Sequence, residues 1–296
     1  MAGHLKMVSS EKYASPPAID GPLGDVVKMQ TRQQVPLDHD SEHEKPYFGL
    51  PEDVVFCGQC VVSNQRPNSA VEYKHRKSTP KETIKFDRFG TCDACNASER
   101  KEHTDWSNRE KELIELCNRH RRSDGRYDCL VPGSGGKDSF YAAHKLKYEY
   151  GMNPLTVTWA PHLYTDWGWA NFQAWLNAGF DNQLMTPNPK IHRLLTRLAV
   201  ENLFHPFQPF MLGQKSLAPK FAALMDIPLV FYGENEAEYG NPLQDNNAAQ
   251  RDWSYFSATA ESDLFLGGAS VTELKEEYGL NDVDLTVYMP LQPDVI

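Results

Sequence analysis

The residues Val131-Pro-Gly-Ser-Gly-Gly-Lys-Asp-Ser139 lie between a short apolar run, Tyr127-Asp-Cys-Leu-Val131, and an amphipathic one, Phe140-Tyr-Ala-Ala-His-Lys-Leu-Lys-Tyr148. That order reads as strand, glycine-rich turn, helix. A turn of this kind aims backbone N–H groups at whatever sits over the helix N-terminus, and the helix dipole favours an anion there. Lys137 adds a mobile positive charge, and Ser134 and Ser139 add hydroxyl donors. A phosphate chain is the expected anion. An ordinary glycine turn before a helix would not call for these three side chains.

Two familiar phosphate loops do not fit. A Walker A loop needs an opening Gly and a Ser or Thr after its Lys. Here Val131 occupies the opening position and Asp138 follows Lys137. A dinucleotide fingerprint starting at Gly133 needs Gly at position 138, which is again Asp138. The remaining pattern, Ser134-Gly135-Gly136-Lys137-Asp138-Ser139, resembles the pyrophosphate loop of the PP-loop ATP pyrophosphatases. Those enzymes cleave ATP between its α and β phosphates.

Outward from the loop, strands and helices alternate. The spacing predicts strands over 127–131, 154–160, 181–186 and 228–232. It predicts helices over 139–150 and 167–178, a third opened by Asn188-Pro189 and burying Ile191, Leu194, Leu195, Leu198 and Ala199, and a fourth near 216–226. The Pro- and Gly-bearing stretch from His205 to Gly213 reads as a loop. Upstream, Ser107-Asn-Arg-Glu110 fits a capping box for a helix with Leu113, Leu116 and Cys117 on its apolar face. Downstream, Ser270-Val-Thr-Glu273 fits another, and Asp284 to Tyr288 reads as a last strand. Alternating strands and helices make an α/β domain with a parallel sheet, and ligands of such sheets sit at the carboxyl ends of the strands. The loops 132–139, 159–169 and 233–240 should converge there.

Residues 1–50 show no periodicity and read as an irregular extension. Residues 51–105 form a separate module with two C-x-x-C knuckles, Cys57-Gly-Gln-Cys60 and Cys92-Asp-Ala-Cys95. Four thiolates suit a closed tetrahedral Zn²⁺ site, with an iron–sulfur cluster or redox disulfides as the alternatives. The spacer between the knuckles is long, and its insert Glu72-Tyr-Lys-His-Arg-Lys77 is expected to loop out. Cys117 and Cys129 read as core residues. Residues 106–296 make the nucleotide domain.

Bulk composition adds limits. The 296 residues carry 30 Lys and Arg against 40 Asp and Glu, a net charge of −10. That disfavours nucleic acid as a partner, where a basic footprint is expected. No apolar run approaches the roughly 18 residues of a membrane span, and the N-terminus lacks the apolar core of a signal peptide. A cytoplasmic location is the expectation, with no membrane partner.

Taken together, Cys57-x-x-Cys60, Asn64-Gln-Arg-Pro67, Phe86-Asp-Arg-Phe-Gly-Thr-Cys-Asp-Ala-Cys95, the 127–139 loop and Phe231-Tyr-Gly-Glu-Asn-Glu-Ala-Glu-Tyr-Gly240 resemble the N-acetyl sugar amidotransferases of bacterial surface-polysaccharide synthesis. The resemblance runs from about residue 54 to the C-terminus. It implies a PP-loop ATP pyrophosphatase domain of the adenine nucleotide alpha hydrolase type, preceded by a zinc-ribbon-like module. The implied reaction adenylates the acetamido oxygen of a nucleotide-linked N-acetyl sugar and replaces it with ammonia from a separate glutaminase. The loop residues 134–139 and Gly233 would hold ATP, with Lys137 on its phosphates and Asp138 a candidate Mg²⁺ ligand. Thr158, Trp159 and Ala160 would line adenosine, although Trp159 reads equally as core. Glu234 and Glu236 would face ATP or substrate, or be simply solvated. The C-terminus is short for the family. Two other functions therefore stay open: a tRNA-thiolating enzyme of the same superfamily, with Lys74–Lys77 and Arg119–Arg122 gripping phosphates, or an inactive ATP- or metal-binding homologue.

Overall fold

The computed structural model describes residues 46, 48–68, 73–235, 256 and 264–291. All of them fall within one compact unit that begins at Pro46. Its centre is a parallel sheet of β1 (Cys129–Pro132), β2 (Pro154–Trp159) and β3 (Asp181–Met185), in the order β1-β2-β3. Cys129 pairs with Pro154, and Leu155 with Asp181. The expected fourth strand, 228–232, is present as a single parallel bridge between Leu130 and Val230. The amide of Leu130 donates to the Leu229 carbonyl, and that of Phe231 to the Leu130 carbonyl, both at 2.8 Å. Pairing extends no further along this segment, so it is extended backbone rather than a full strand.

The helices are α1 (Asp93–Glu102), α2 (Trp106–His120), α3 (Lys137–His144), α4 (Asp166–Leu176), α5 (Pro189–Leu203) and α6 (Gln208–Leu224). A small hairpin of β4 (Phe265–Leu266) and β5 (Ala269–Ser270) follows, then α7 (Val271–Glu276) and α8 (Asp282–Leu285). A parallel sheet must be covered on both faces, and period-2 alternation divides the apolar side chains between them. Leu130, Leu155, Val157 and Trp159 pack with Leu195 and Leu198 of α5 and Leu212 and Leu217 of α6. Cys129 and Val131 pack with Cys117 of α2, Ala143 of α3, and Phe172 and Trp175 of α4. Both Cys117 and Cys129 are core residues, as their positions suggested.

Local chemistry explains where the elements begin and end. α5 is capped by Asn188, whose side chain accepts from the Lys190 amide, with Pro189 in the first turn. α7 carries the expected capping box, with Ser270 and Glu273 bonded reciprocally. α2 starts earlier than the Ser107 box implied. Asp105 is its cap, accepting from the Asn108 amide at 3.0 Å. α3 begins at Lys137 rather than 139, and a π-helical turn at Lys145–Glu149 completes it. The loop expected over 205–213 is shorter, because Pro209 fits the first turn of α6 and Gly213 lies inside that helix. The strand expected over 284–288 is instead the end of α8 and the turn after it. Asn281 and Asp284 form a reciprocal cap there, and that local pairing overrides the strand preference of Leu-Thr-Val-Tyr. The polar stretch 241–255, residues 1–45 and Glu236 lie outside the described residues.

Within the insert between the knuckles, one residue is anchored while Lys74, Arg76 and Lys77 are exposed. Tyr73 is buried in the core beside α5 and α6. Its hydroxyl donates to the Tyr288 carbonyl at 2.9 Å, and its own carbonyl accepts from the Phe265 amide at 2.6 Å. The basic run after α2 is also more engaged than a solvated helix end. Arg121 donates to the Tyr150 and Gly151 carbonyls, and Arg122 to Asp124, to Asp226 and to the Asp226 carbonyl. No helix among the described residues is long and apolar enough to cross a membrane.

Two histidines make this fold acid-sensitive. Burial, with His162 beside it, lowers His192 to about 4, and burial with Lys81 and His75 nearby lowers His205 to about 4. The unfolded chain protonates these rings near 6.5, so below that pH it binds protons the folded protein does not. This contribution is constant above about pH 6.5 and is lost as pH falls toward 4. The melting temperature should therefore decline across that window, and His192→Gln should flatten the decline. Melting curves between pH 8 and 4.5 give the comparison, and an unchanged slope in the variant would remove His192 from the account.

Candidate functional site

The first candidate site is the turn between β1 and α3. The three strands run parallel, so Pro132, Trp159 and Met185 end on one side of the sheet, where α/β ligands bind. The Gly133 amide donates to the Val157 carbonyl at 2.9 Å, and the Thr158 hydroxyl donates to the Gly133 carbonyl at 2.7 Å. Asn182 on β3 donates to Thr158 Oγ1 at 3.0 Å and to Thr156 Oγ1 at 2.9 Å. The entry to the loop is thus fixed by polar side chains reaching across three strands.

The loop itself is held by backbone approach. Gly135 adopts φ +88°, in the region that favours glycine, and a Cβ there would lie 2.3 Å from the Asn171 carbonyl oxygen on α4. Gly233, just after the Leu130–Val230 bridge, meets the start of α3. A Cβ at Gly233 would lie 2.6 Å from the Ser139 nitrogen and 2.7 Å from the Asp138 carbonyl carbon. The loops 132–139 and 233–235 are therefore in contact, with the 171–172 turn of α4 on the other side. Gly136 is the N-cap of α3 and offers no side chain to its first N–H groups.

Lys137 and Asp138 are the first two residues of α3 and pair with each other, Nζ to Oδ1 at 2.5 Å. The lysine side chain is 87% exposed and that of Asp138 42%. Ser134 and Glu234 are exposed. Ser139 Oγ donates to the Gly136 carbonyl at 3.3 Å. Thr158 and Trp159 are buried, and the Trp159 ring packs with His192 and Tyr288. Of the residues expected to line adenosine, Trp159 is core and Thr158 supports the loop. Ala160 is half-buried, and its amide donates to the Met185 carbonyl at 2.9 Å. The supporting roles of Asn171 and Asn182 carry no motif. The alternation of Thr156 and Thr158 along β2 is the one sequence hint of a hydroxyl-bearing face.

The second candidate site is the cysteine cluster. The four ligand sulfurs of Cys57, Cys60, Cys92 and Cys95 lie within 4.8 Å of one another. Cys57 Sγ is 4.0 Å from Cys95 Sγ, and Cys60 Sγ is 3.7 Å from Cys92 Sγ. Zn–S bonds of about 2.3 Å in a tetrahedron put sulfurs about 3.8 Å apart. These separations suit one ion such as zinc, and they are far from the roughly 2.05 Å of a disulfide. Desolvation pushes Cys57 up, but amides of Gln59, Cys92 and Cys60 outweigh it and bring the thiol down to about 6. Desolvation pushes Cys92 and Cys95 up, as does sharing hydrogen bonds with the other thiols. Metal binding at thiols releases their protons, so occupancy of this cluster would depend on pH. Asp87 fixes the second knuckle by accepting from the Phe89 and Thr91 amides at 2.8 and 3.0 Å.

No protein-family model matches the chain. A stretch of 47 residues, 16% of the chain, is 40% identical to an uncharacterized protein of Methanocaldococcus jannaschii. The match spans 17% of that protein's length and brings no activity with it.

Metal content follows from the cysteine geometry. Cys92→Ser removes one ligand of the four, so bound zinc should fall well below one ion per chain and the melting temperature should drop. Elemental analysis beside melting curves makes the test, and full zinc content in the variant would rule out this cluster as the site.

Proposed function

We propose that the protein is an ATP pyrophosphatase-type amidotransferase that converts an N-acetyl sugar, nucleotide-linked as the family resemblance implies, to its acetamidino derivative. The observation that carries this reading is the glycine loop. Its backbone is wedged between Asn171 and Gly233, and it opens onto a helix start that no side chain caps. Uncapped N–H groups at a helix N-terminus suit phosphate, and Lys137 supplies a charge beside them. The resemblance of Ser134–Ser139 to the PP-loop pyrophosphate loop implies cleavage between the α and β phosphates.

The chemistry asks little of acid–base groups and much of positioning. An amide oxygen is a poor leaving group. Its attack on the α phosphorus of ATP expels pyrophosphate and leaves the carbon bonded to an adenylated oxygen. Ammonia then adds to that carbon, loses a proton, and AMP departs. Atoms balance as amide, ATP and ammonia giving amidine, AMP and pyrophosphate. Negative charge grows on the departing pyrophosphate, and the N–H groups at the start of α3 and Lys137 are the donors suited to it. Asp138, a carboxylate on the same turn, fits a Mg²⁺ ligand, and Mg²⁺ supplies charge neutralisation on the phosphates. Phosphate at the loop would draw Lys137 away from Asp138. The sheet side of the loop is closed by Thr158 and Trp159, so adenosine would lie outside them, beside Ala160. Glu234 follows Gly233 into the same opening and would face the substrate. Zinc at the four cysteines would hold the knuckles together; four protein ligands leave no open position for catalysis. Ammonia is assigned to a separate glutaminase.

With ATP, Mg²⁺, ammonia and nucleotide-linked N-acetyl sugars, the nucleotide product should be AMP with pyrophosphate, and the sugar should lose about one mass unit. ADP as the sole nucleotide product would end this reading.

Lys137→Ala should lower turnover about 100- to 1,000-fold, the roughly 2.7–4 kcal/mol typical of one lost preorganised donor. Its melting curve and zinc content should not change, because the side chain is exposed. Lys137→Arg should recover little, since a planar fork does not replace a compact ammonium in a tight loop. Pyrophosphate release by both variants measures the effect, and near-normal turnover in Lys137→Ala would reduce the lysine to a solvated loop residue.

A further inference from the structure

Lys220 has no part in the chemistry above. It lies near the C-terminal end of α6, after Pro219. That helix leads into the segment parallel to β1, so its C-terminal end is at the amino ends of the strands, opposite the glycine loop. The side chain borders a cleft of about 280 Å³ between α6 and the chain's last helices. Val271, Leu285, Met289 and Pro290 give that cleft apolar walls, and Asp282 is also on its lining. Lys220 Nζ donates to the Thr286 carbonyl at 2.5 Å, which ties the amine to the wall by a neutral acceptor.

We propose that Lys220 is a reactive amine and that the cleft takes a small uncharged aldehyde, which the amine captures as an imine. Three features support this. The first is space: about 280 Å³ holds a small molecule beside the amine, with apolar walls for a hydrocarbon chain. The second is the electrostatic setting. The charged groups nearby are Asp282 of α8 and Lys275 of α7, and these pair with each other at 2.6 Å. Among the described residues no carboxylate pairs with Lys220, so little there holds it in the ammonium form. Burial then lowers it to about 8. A desolvated lysine in an apolar pocket is a standard route to an amine nucleophile. The third is selectivity. A 2-oxo acid would bring a second carboxylate to a lining that already contains Asp282, whereas an uncharged aldehyde would not.

The step is balanced without an oxidant. The neutral amine nitrogen adds to the carbonyl carbon, and the C=O electron pair moves to oxygen and takes a proton. The carbinolamine then loses water to give the imine. One C–N double bond forms, one C–O double bond is lost, and the second amine proton leaves with the water.

The test uses the full chain, butanal and cyanoborohydride, which reduces any imine to a stable butyl-lysine. At pH 7.5 an amine of pKa about 8 is roughly 200-fold more neutral than an ordinary lysine near 10.4, an advantage partly offset by its lower basicity. Peptide mapping by mass spectrometry should therefore find Lys220 butylated up to about 100-fold faster than exposed Lys111 and Lys190, with a rate midpoint near pH 8. Glyoxylate should show much less preference for Lys220. The preference should vanish in the heat-unfolded chain and in Lys220→Arg, which keeps a donor for the Thr286 carbonyl. Labelling of Lys220 no faster than Lys111 and Lys190, or equal preference with glyoxylate, would overturn the proposal. ATP plays no part in this experiment, so its result is independent of the function assigned to the glycine loop.

Discussion

The contact between Gly233 and the first turn of α3 fixes how the chain passes the candidate site. A Cβ at that point would stand 2.6 Å from the Ser139 nitrogen, closer than side-chain carbon and backbone can sit. The chain leaving the Leu130–Val230 bridge must therefore pass the helix start as glycine. On the opposite side, Gly135 at φ +88° lets the loop backbone touch the Asn171 carbonyl. Between these contacts α3 begins after its N-cap Gly136, which brings no capping side chain. Orphan donors at a helix end are normally capped, wetted or bound to a ligand. A helix start without a side-chain cap suits an anion, and the proposed reaction would use it to stabilise charge on phosphate.

A second constraint joins the cysteine module to the sheet. Tyr73 lies in the long spacer between the knuckles, and its buried ring and hydroxyl reach Tyr288 near the C-terminal end of the described chain. Tyr288 in turn bonds His192 at 2.8 Å and stands edge-on to Trp159 at the end of β2. Truncating a core aromatic costs about 3–5 kcal/mol, so this chain of contacts ties the spacer firmly to the core. Zinc at the knuckles would close the spacer into a loop whose middle is already anchored in the α/β core. Folding of the module and of the domain would then be coupled, in addition to the 10–16 kcal/mol order of magnitude seen for zinc in small isolated peptides.

What the sequence made legible follows the range of the forces involved. Local signals were sufficient for the glycine turn, for the Asn188-Pro189 and Ser270–Glu273 helix starts, and for the parallel strands, because each is written within a few adjacent residues. The cysteine pairs were legible for the same reason. Signals failed where a nearby alternative competed. Asp105 displaced Ser107 as a cap, and the Asn281–Asp284 pair turned a strand-like sequence into a helix end. They failed again where the deciding partner was distant in sequence. Nothing within residues 72–77 announces that Tyr73 pairs with residue 288, and nothing near residue 171 announces a contact with Gly135. Thr158 was assigned to a ligand because it ends a strand beside the site. Its hydroxyl is instead engaged by Gly133, in the loop after β1, and by Asn182 on β3.

The same distinction bears on how the candidate site is built. The groups expected to meet the ligand, Lys137, Asp138 and Glu234, are exposed or partly so, and Lys137 and Asp138 pair with each other. The groups that position them, Gly133, Gly135, Thr158, Asn182 and Gly233, are bonded or in backbone contact across separate elements. Mobile charges on a rigid backbone frame suit a reaction whose charge develops on a departing pyrophosphate. In the proposed reaction the frame would hold the donors where that charge appears, and the Lys137–Asp138 pair would separate to meet anion and cation. An exposed ion pair is worth little to stability, about 0–1 kcal/mol, so its separation on ligand binding costs the fold almost nothing. Rigidity therefore resides in residues whose roles only tertiary contacts reveal, while the proposed chemistry is assigned to residues that a motif can name.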